Sequence, residues 1–280
     1  MKDFRVFKTV ASLQEELAFS SNTAPLCFVP TMGALHHGHL NLVREAFRYS
    51  DRVVVSIFVN PTQFNNASDL ANYPRTLEAD LELLSTIGNV VVFAPDVSEM
   101  YPFDFHEISL ELGALEAVME GAFRPGHFKG VVNVVKRLFD IVEPAYAFFG
   151  IKDYQQLAVI QHMVNELRIP VNIVPCETTR EESGLASSSR NTRLNEQELD
   201  EARIIYQTIC FARAYSAIHT PAETLKAARA FFEASSLVLE YMEIVDPITL
   251  KSIQEWEPNS RMCIAAWCGK VRLIDNDVLN

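Results

Sequence analysis

The sequence predicts an α/β protein, a doubly wound parallel sheet followed by a smaller α+β domain. Three observations carry that expectation. Short apolar runs alternate with segments of helical period over much of the chain. The run RVVVSIFV (Arg52–Val59) is apolar and β-branched almost throughout, which suits a strand buried on both faces, as in a parallel sheet. The alternation stops near residue 185, where a polar, Ser-rich stretch begins.

Taken in order, PLCFVP (Pro25–Pro30) is a short apolar run bounded by prolines and reads as a buried strand. LNLVREAFRYS (Leu40–Ser50) has apolar residues at Leu42, Val43, Ala46 and Phe47, a helical period. With the strand at Arg52–Val59 this makes a βαβ unit, whose crossover is right-handed. LEADLELLSTIG (Leu77–Gly88) reads as a helix closed by glycine, and NVVVFAP (Asn89–Pro95) as a strand. The helix Gly130–Pro144, the strand Ala145–Gly150, the helix Asp153–Pro170 and the strand Val171–Thr178 repeat the unit. The division is drawn at residues 1–184 and 185–280, with the joint at Glu182–Ser189. Beyond it come helices near Glu198–Ile218 and Ala222–Ser235, then β-like runs VLEYMEIVDP and SRMCIAAWCGKVRLIDN.

A net charge of -12, from 24 Lys+Arg against 36 Asp+Glu, argues against a nucleic-acid partner or a membrane surface, since both need a basic footprint. It leaves room for an anionic substrate held by a local cluster of cations. Five Cys, an odd number without a CxxC, suit free thiols in a reducing compartment. No apolar run reaches the ~20 residues of a membrane span, and MKDFRVFKTVASLQEEL has no apolar leader. A cytoplasmic protein is expected.

In a doubly wound fold, ligands sit beyond the carboxyl ends of the strands. TMGALHHGH follows the first predicted strand there. Gly33 and Gly38 permit a tight turn, and His36 and His39 face one way if a helix starts at this point. That helix start offers free N–H groups, and neutral imidazoles beside it can donate to phosphate oxygens. A lone histidine at a helix start is usually incidental; HxGH between a buried strand and a helix is not. It is similar to the nucleotide-binding signature of class I aminoacyl-tRNA synthetases and nucleotidyltransferases.

Three further stretches stand at the same edge. ASSSRN (Ala186–Asn191) offers hydroxyls and a guanidinium on a loop, suited to a pyrophosphate leaving group, and resembles the KMSKS loop of that superfamily with Arg190 in place of its second lysine. FGIKDYQQ (Phe149–Gln156) puts Lys152 and Asp153 just past a strand, where they can meet a phosphate and a ribose or metal. SIFVNPTQF (Ser56–Phe64) brings Asn60 and Gln63, neutral amides better suited to a hydroxy acid than to a triphosphate. RPGHFKGV (Arg124–Val131) is either additional anion-binding surface or a basic turn.

With these stretches in order over nearly the whole chain, and with YPRTLEADL, VVFAPDVSEMYP and AAWCGKVRLIDN, the sequence resembles the pantothenate synthetase (pantoate–β-alanine ligase) family. The resemblance implies a Rossmann-like amino-terminal domain, a carboxy-terminal lid domain and a homodimer. It implies that ATP with Mg2+ and (R)-pantoate give pantoyl adenylate and pyrophosphate, and that β-alanine then releases pantothenate and AMP. It assigns ATP to Met32, Gly33, Ala34, Leu35, His36, His37, Gly38 and His39, to Gly150, Ile151, Lys152 and Asp153, and to Thr179, Ser187, Ser188, Ser189 and Arg190. Gln63 and Gln156 hold pantoate, Gln63 also meets β-alanine, and Pro30, Met32, Asn60 and Tyr73 line the same pocket. His39 stands in the family's proton-donor position, although hydrogen bonding to the phosphates explains it as well. The expected catalytic set is His36, His39, Lys152, Ser188, Ser189 and Arg190. Metal ligands are not fixed, with Asp80 a candidate. Three positions depart from the family's usual residues: Ile151 for Glu, Ser187 for Leu or Met, and Thr179 for Val. A cytidylyl- or adenylyltransferase is the competing reading, and NPTQF and KDYQQ speak against it.

Overall fold

Six parallel strands form the larger sheet in the computed structural model, which describes residues 5–19, 23–65 and 67–280. They are β1 (Arg5–Phe7), β2 (Cys27–Thr31), β3 (Val53–Ile57), β4 (Val91–Phe93), β5 (Tyr146–Gly150) and β6 (Asn172–Cys176), in the order β1-β4-β3-β2-β5-β6. The residues account for the burial. Cys27, Phe28 and Val29 of β2 and Val54 and Val55 of β3 are wholly inside, as a strand covered on both faces requires. The His37–Tyr49 helix buries Leu40, Leu42, Val43 and Ala46 along one stripe and turns Arg44 and Arg48 outward to Asn41 and Glu45. The His127–Val142 helix is apolar nearly all round and buried, and Glu143 ends it in the left-handed region at φ 48°.

Strand order reverses between β2 and β5. The loops leaving their carboxyl ends therefore flank the topological switch point, the crevice where doubly wound sheets bind ligands. Of the amino-terminal stretch read as lacking a leader, Met1–Phe4 lies outside the described residues. The remainder of that stretch forms β1 and the start of the Val10–Phe19 helix. A three-residue strand is too short for periodicity to reveal; β1 forms because β4 supplies a parallel partner.

The larger sheet and its helices make one unit, residues 1–112, 124–151 and 156–177. The other gathers 113–123, 152–155 and 178–280. The long continuous part of the second unit begins at Thr178, and the polar change near residue 185 lies inside it. Its sheet is antiparallel: β7 (Val238–Val245), β8 (Arg261–Cys268) and β9 (Val271–Val278). The helices Ile204–Ser216 and Pro221–Phe232 bring Ile205, Ile209, Ala228 and Phe232 to a core shared with Met242, Met262 and Ile264. The single helix expected over Glu198–Ile218 is two, Glu196–Glu201 and Ile204–Ser216. Arg203 N bonds Asp200 O and Ile205 N bonds Ala202 O, so i→i−3 bonds interrupt the α-helical ladder.

The insertion 113–123 is tied to this sheet by a buried ion pair. Arg272 holds Glu120 through its two terminal guanidinium nitrogens, at 2.6 and 2.9 Å, and Tyr241 donates to the same carboxylate at 2.8 Å. Burial, and then the Glu120 charge, push the Tyr241 phenol well above its ordinary range. All five cysteines are free thiols, four buried and Cys210 exposed. Among the described residues no helix is long and apolar enough to cross a membrane.

Candidate active site

The loop after β2 is shaped by one buried carboxylate. Gly33 and Ala34 both take positive φ, 78° and 49°. The turn aims consecutive N–H groups at Asp80, whose Oδ2 accepts from Ala34 N at 3.0 Å and Oδ1 from Leu35 N at 2.8 Å. Successive N–H groups turned this way make an anion-binding concavity, and here the anion is the protein's own. Asp80 lies in the first turn of the Leu77–Ser85 helix, 1% exposed, and also accepts from the Thr76 hydroxyl at 3.2 Å. A Cβ on Gly33 would stand 3.1 Å from Asp80 Oδ2 and 3.0 Å from Ile57, so the loop has no room for a side chain there.

The loop delivers the histidines to the helix start. His36 is the N-cap of the His37–Tyr49 helix, and its Nδ1 accepts from Gly38 N at 3.1 Å. An accepting Nδ1 leaves Nε2–H as the donor of a neutral imidazole. The His39 ring lies against it, centroids 4.1 Å apart. The spacing therefore puts His36 and His39 on one face, as the sequence predicts. His37 between them is exposed.

After β3, Asn60 organises the neighbouring turn. It is 1% exposed and caps the short helix Pro61–Gln63. Its Oδ1 accepts from Thr62 N, Thr62 Oγ1 and Tyr101 OH; its Nδ2 donates to Gly130 O and to Gln63 Oε1, both at 3.2 Å. This amide is fully engaged with the protein, so Asn60 serves by aiming Gln63. With its oxygen taken, Gln63 directs its NH2 group toward Met32 Sδ in the histidine loop. His127, 5% exposed, bonds the Gln63 carbonyl at 2.8 Å through Nδ1. A Cβ on Gly130 would fall 2.5 Å from Thr62 O. RPGHFKGV is therefore scaffold for the Gln63 turn, and its exposed Lys129 pairs with Glu107 at 2.6 Å. Tyr73 is buried edge-on against Phe64, and Pro30 lies in β2.

At the end of β5, Gly150, Ile151 and the half-buried Gln156 belong to the first unit. Lys152, Asp153, Thr179 and Ser187–Arg190 belong to the second. Of the two glutamines in KDYQQ, Gln155 is structural. It is 4% exposed, accepts from Glu120 N and donates to the carbonyls of Leu115 and Val118. In the Ser-rich loop, Ser187 is buried and donates its hydroxyl to Glu181, while its N–H bonds Thr179 O at 2.9 Å. Ser188 caps the short helix Ser189–Arg193 by accepting from Arg190 N at 3.3 Å. The departure at position 187 thus serves the hairpin that carries the loop.

Within the first unit the histidine pair, Met32 and Gln63 come together, and within the second Lys152 and the Ser-rich loop share a scaffold. The sequence reading missed Asp80, His127 and Gly130 as positioning groups, because each acts on a residue at least 45 positions away. Both Asp80 oxygens accept from the loop, and Oδ1 also from Thr76, so the carboxylate braces the turn. Among the described residues no three of His, Cys, Asp and Glu cluster to hold a metal ion.

Comparison with known proteins places this geometry. The family model described as pantoate-beta-alanine ligase matches residues 5–278. The chain is 50% identical to the pantothenate synthetase of Bacteroides thetaiotaomicron over 277 residues, 97% of this chain and 98% of that protein. It is 50% identical over 278 residues to that of Phocaeicola vulgatus, with the same coverage. Among solved structures, the pantothenate synthetase of Thermus thermophilus superposes with a TM-score of 0.93 at 42% identity, covering 99% of both chains. The Francisella tularensis pantoate-beta-alanine ligase, complexed with beta-gamma ATP and beta-alanine, gives 0.84 at 33% identity, covering 99% of this chain and 98% of that one.

Proposed function

Given that the chain belongs to the pantoate–β-alanine ligase family and catalyses the ATP-dependent joining of pantoate to β-alanine, we propose how its residues divide the work. The observation that carries the assignment is the pairing at the ends of β2 and β3. A tilted pair of imidazoles in contact, one with a defined N–H donor, is carried by the loop whose Met32 meets a glutamine amide preset by a buried asparagine. Donors of the first kind suit phosphate oxygens, and a fixed amide suits a hydroxy acid.

The pantoate carboxylate attacks the α-phosphorus of ATP. An O–P bond forms, the bond to the β-phosphate breaks, and pyrophosphate leaves. Anion meets anion in this step, so catalysis rests on donors and cations at the phosphates. His36 and His39 supply neutral N–H donors, Lys152 and Arg190 positive charge, and Ser188 and Ser189 hydroxyls for the leaving group. Met32–His39, Gly150–Asp153 and Thr179 make up the remainder of the ATP site. Gln63 and Gln156 hold pantoate, with Pro30, Met32 and Tyr73 lining the pocket. The β-alanine nitrogen then attacks the acyl carbon of pantoyl adenylate, AMP leaves and pantothenate forms. The amine must be neutral, and an alkyl ammonium ordinarily loses its proton near pH 10. The site must therefore favour that loss.

Mg2+ would enter with ATP and neutralise charge on its phosphates. The bonds of the buried Asp80 to the Ala34 and Leu35 N–H groups favour a part in holding the loop over one as a metal ligand. Five free thiols suit a reducing cytoplasm, and the family resemblance suggests a homodimer, which sedimentation velocity tests.

The deciding experiment measures pyrophosphate from Mg-ATP with pantoate, with β-alanine, with both and with neither. Sustained release only with both, matched by AMP and pantothenate, is expected. His39→Ala and Lys152→Ala should each slow it by about 100- to 1,000-fold. Wild-type rates in both variants overturn the assignment.

A further inference from the structure

The carboxy-terminal strand β9 carries two consecutive buried polar residues, Asp275 and Asn276, each 4% exposed. The assignment above gives them no part. Their partners are informative. Asn276 Nδ2 donates to the carbonyl of Lys152 at 2.8 Å, across 124 positions of sequence. Its Oδ1 accepts from Arg261 at 2.6 Å. The Arg261 guanidinium in turn lies 4.3 Å over the ring of Tyr154, two residues beyond Lys152, and the Tyr154 hydroxyl donates to Pro247 O. The short turn bearing Lys152 is thus gripped at its own carbonyl and at Tyr154.

Asp275 reaches the other phosphate-handling segment. Arg180 forks onto it at 2.6 and 3.1 Å, with its guanidinium 3.8 Å over Tyr206. Arg180 also donates to Gly184 O, and it forms the isolated bridge with Ala186 that closes the hairpin before Ser187–Arg190. Asp275 Oδ1 accepts from Asn276 N at 2.8 Å, so the two anchors share one backbone step. Burying a carboxylate and an amide costs free energy unless every group is paired. These are paired, and with the two segments on which the phosphate chemistry depends.

We infer that Asp275 and Asn276 are a positioning pair: Asn276 fixes the main chain at Lys152, Asp275 fixes the hairpin of the Ser-rich loop through Arg180, and together they hold the two cationic segments in one arrangement. The inference rests on the assignment of Lys152 to the phosphates. Neither residue touches substrate; each acts through a bond to the segment it holds. Displacing a charged donor by about 1 Å can cost ~100-fold in rate.

The test is a double-mutant cycle on pyrophosphate formation from Mg-ATP and pantoate, followed in single turnovers so that slow variants remain readable. The four proteins are the wild type, Asn276→Ala, Lys152→Ala and the double variant, and the ATP dissociation constant is measured in each as a second cycle. Asn276→Ala should lower the wild-type rate about 10- to 100-fold and change the Lys152→Ala rate less than about threefold, because its target is gone. Asn276→Asp keeps an acceptor for Arg261, but it replaces the donor to Lys152 O with a carboxylate oxygen and adds a buried charge, so it should lower the rate at least as far and serves as the second variant if Asn276→Ala folds poorly. Equal losses in both backgrounds, or no loss in the first, overturn the pair while leaving Lys152 catalytic. A wild-type rate in Lys152→Ala overturns the assignment and the pair with it.

Discussion

Replacing Asp80 by alanine separates a brace from a metal ligand. The carboxylate is 1% exposed and accepts the N–H groups of Ala34 and Leu35 at 3.0 and 2.8 Å. Alanine leaves both donors without a partner. A buried donor stranded in this way costs about 1–3 kcal/mol. Leu35 is buried and Ala34 only half so, and water can reach the second. A loss of about 2–4 kcal/mol is expected, or a fall in Tm of roughly 4–16 °C for a chain of this size. The turn at Gly33–Ala34 also loses its reason to hold positive φ, which displaces His36 and Met32. Calorimetry in EDTA without nucleotide, paired with pyrophosphate release against rising Mg2+, reads both consequences. The expected result is a lowered Tm in EDTA and a rate reduced about 100-fold or more that Mg2+ does not restore. An unchanged Tm with activity recovered at high Mg2+ would refute the brace and make Asp80 a metal ligand.

Three other outcomes rest on the same physics. Gly33→Ala sets a Cβ at φ 78°, 3.0 Å from Ile57 and 3.1 Å from Asp80; urea titration should find it about 1–3 kcal/mol less stable, with ATP affinity reduced. Arg272→Ala strands Glu120 and Glu240, whose side chains are 9% and 15% exposed, and should cost about 3–5 kcal/mol or more, while Arg272→Met with Glu120→Gln and Glu240→Gln should recover part of it in the same denaturant assay. Burial pushes the thiols of Cys27 up to about 11 and of Cys176 and Cys263 up to about 12, from an ordinary 9.0. Above pH 9 the unfolded chain loses protons that the folded one keeps, so stability present below that pH declines as pH rises toward 11, by at most ~1.4 kcal/mol per pH unit and thiol. Cys263→Ala should flatten the decline by one thiol's share, and in the native wild type only the exposed Cys210 should react promptly with a thiol reagent at pH 8.

What could be read from sequence was whatever is encoded locally. RVVVSIFV announces a covered strand by itself, and HxGH announces a donor pair because residues three apart share a helix face. The contact of the two rings at 4.1 Å follows from that spacing together with the N-cap bond that holds His36 to Gly38 N. The supports were hidden because their partners are remote. Asp80 is read as a carboxylate in a helix, and nothing beside it says that its anion fills the turn at Ala34 and Leu35. The family resemblance placed Asn60 in the pocket, but its bonds to Tyr101 and Gly130 could not be read from the residues beside it. RPGHFKGV read equally as anion site or basic turn, since the deciding bond, His127 to the Gln63 carbonyl, crosses 64 positions. The compact units are drawn otherwise than a single joint at Glu182–Ser189 would draw them. Residues 113–123 and 152–155 join the second unit, where Glu120 meets Arg272 and Tyr241 and where Lys152 and Tyr154 meet Asn276 and Arg261, and no composition shift marks such contacts. Donors that meet substrate are thus legible as motifs, whereas the groups that aim them are legible only once the chain has folded.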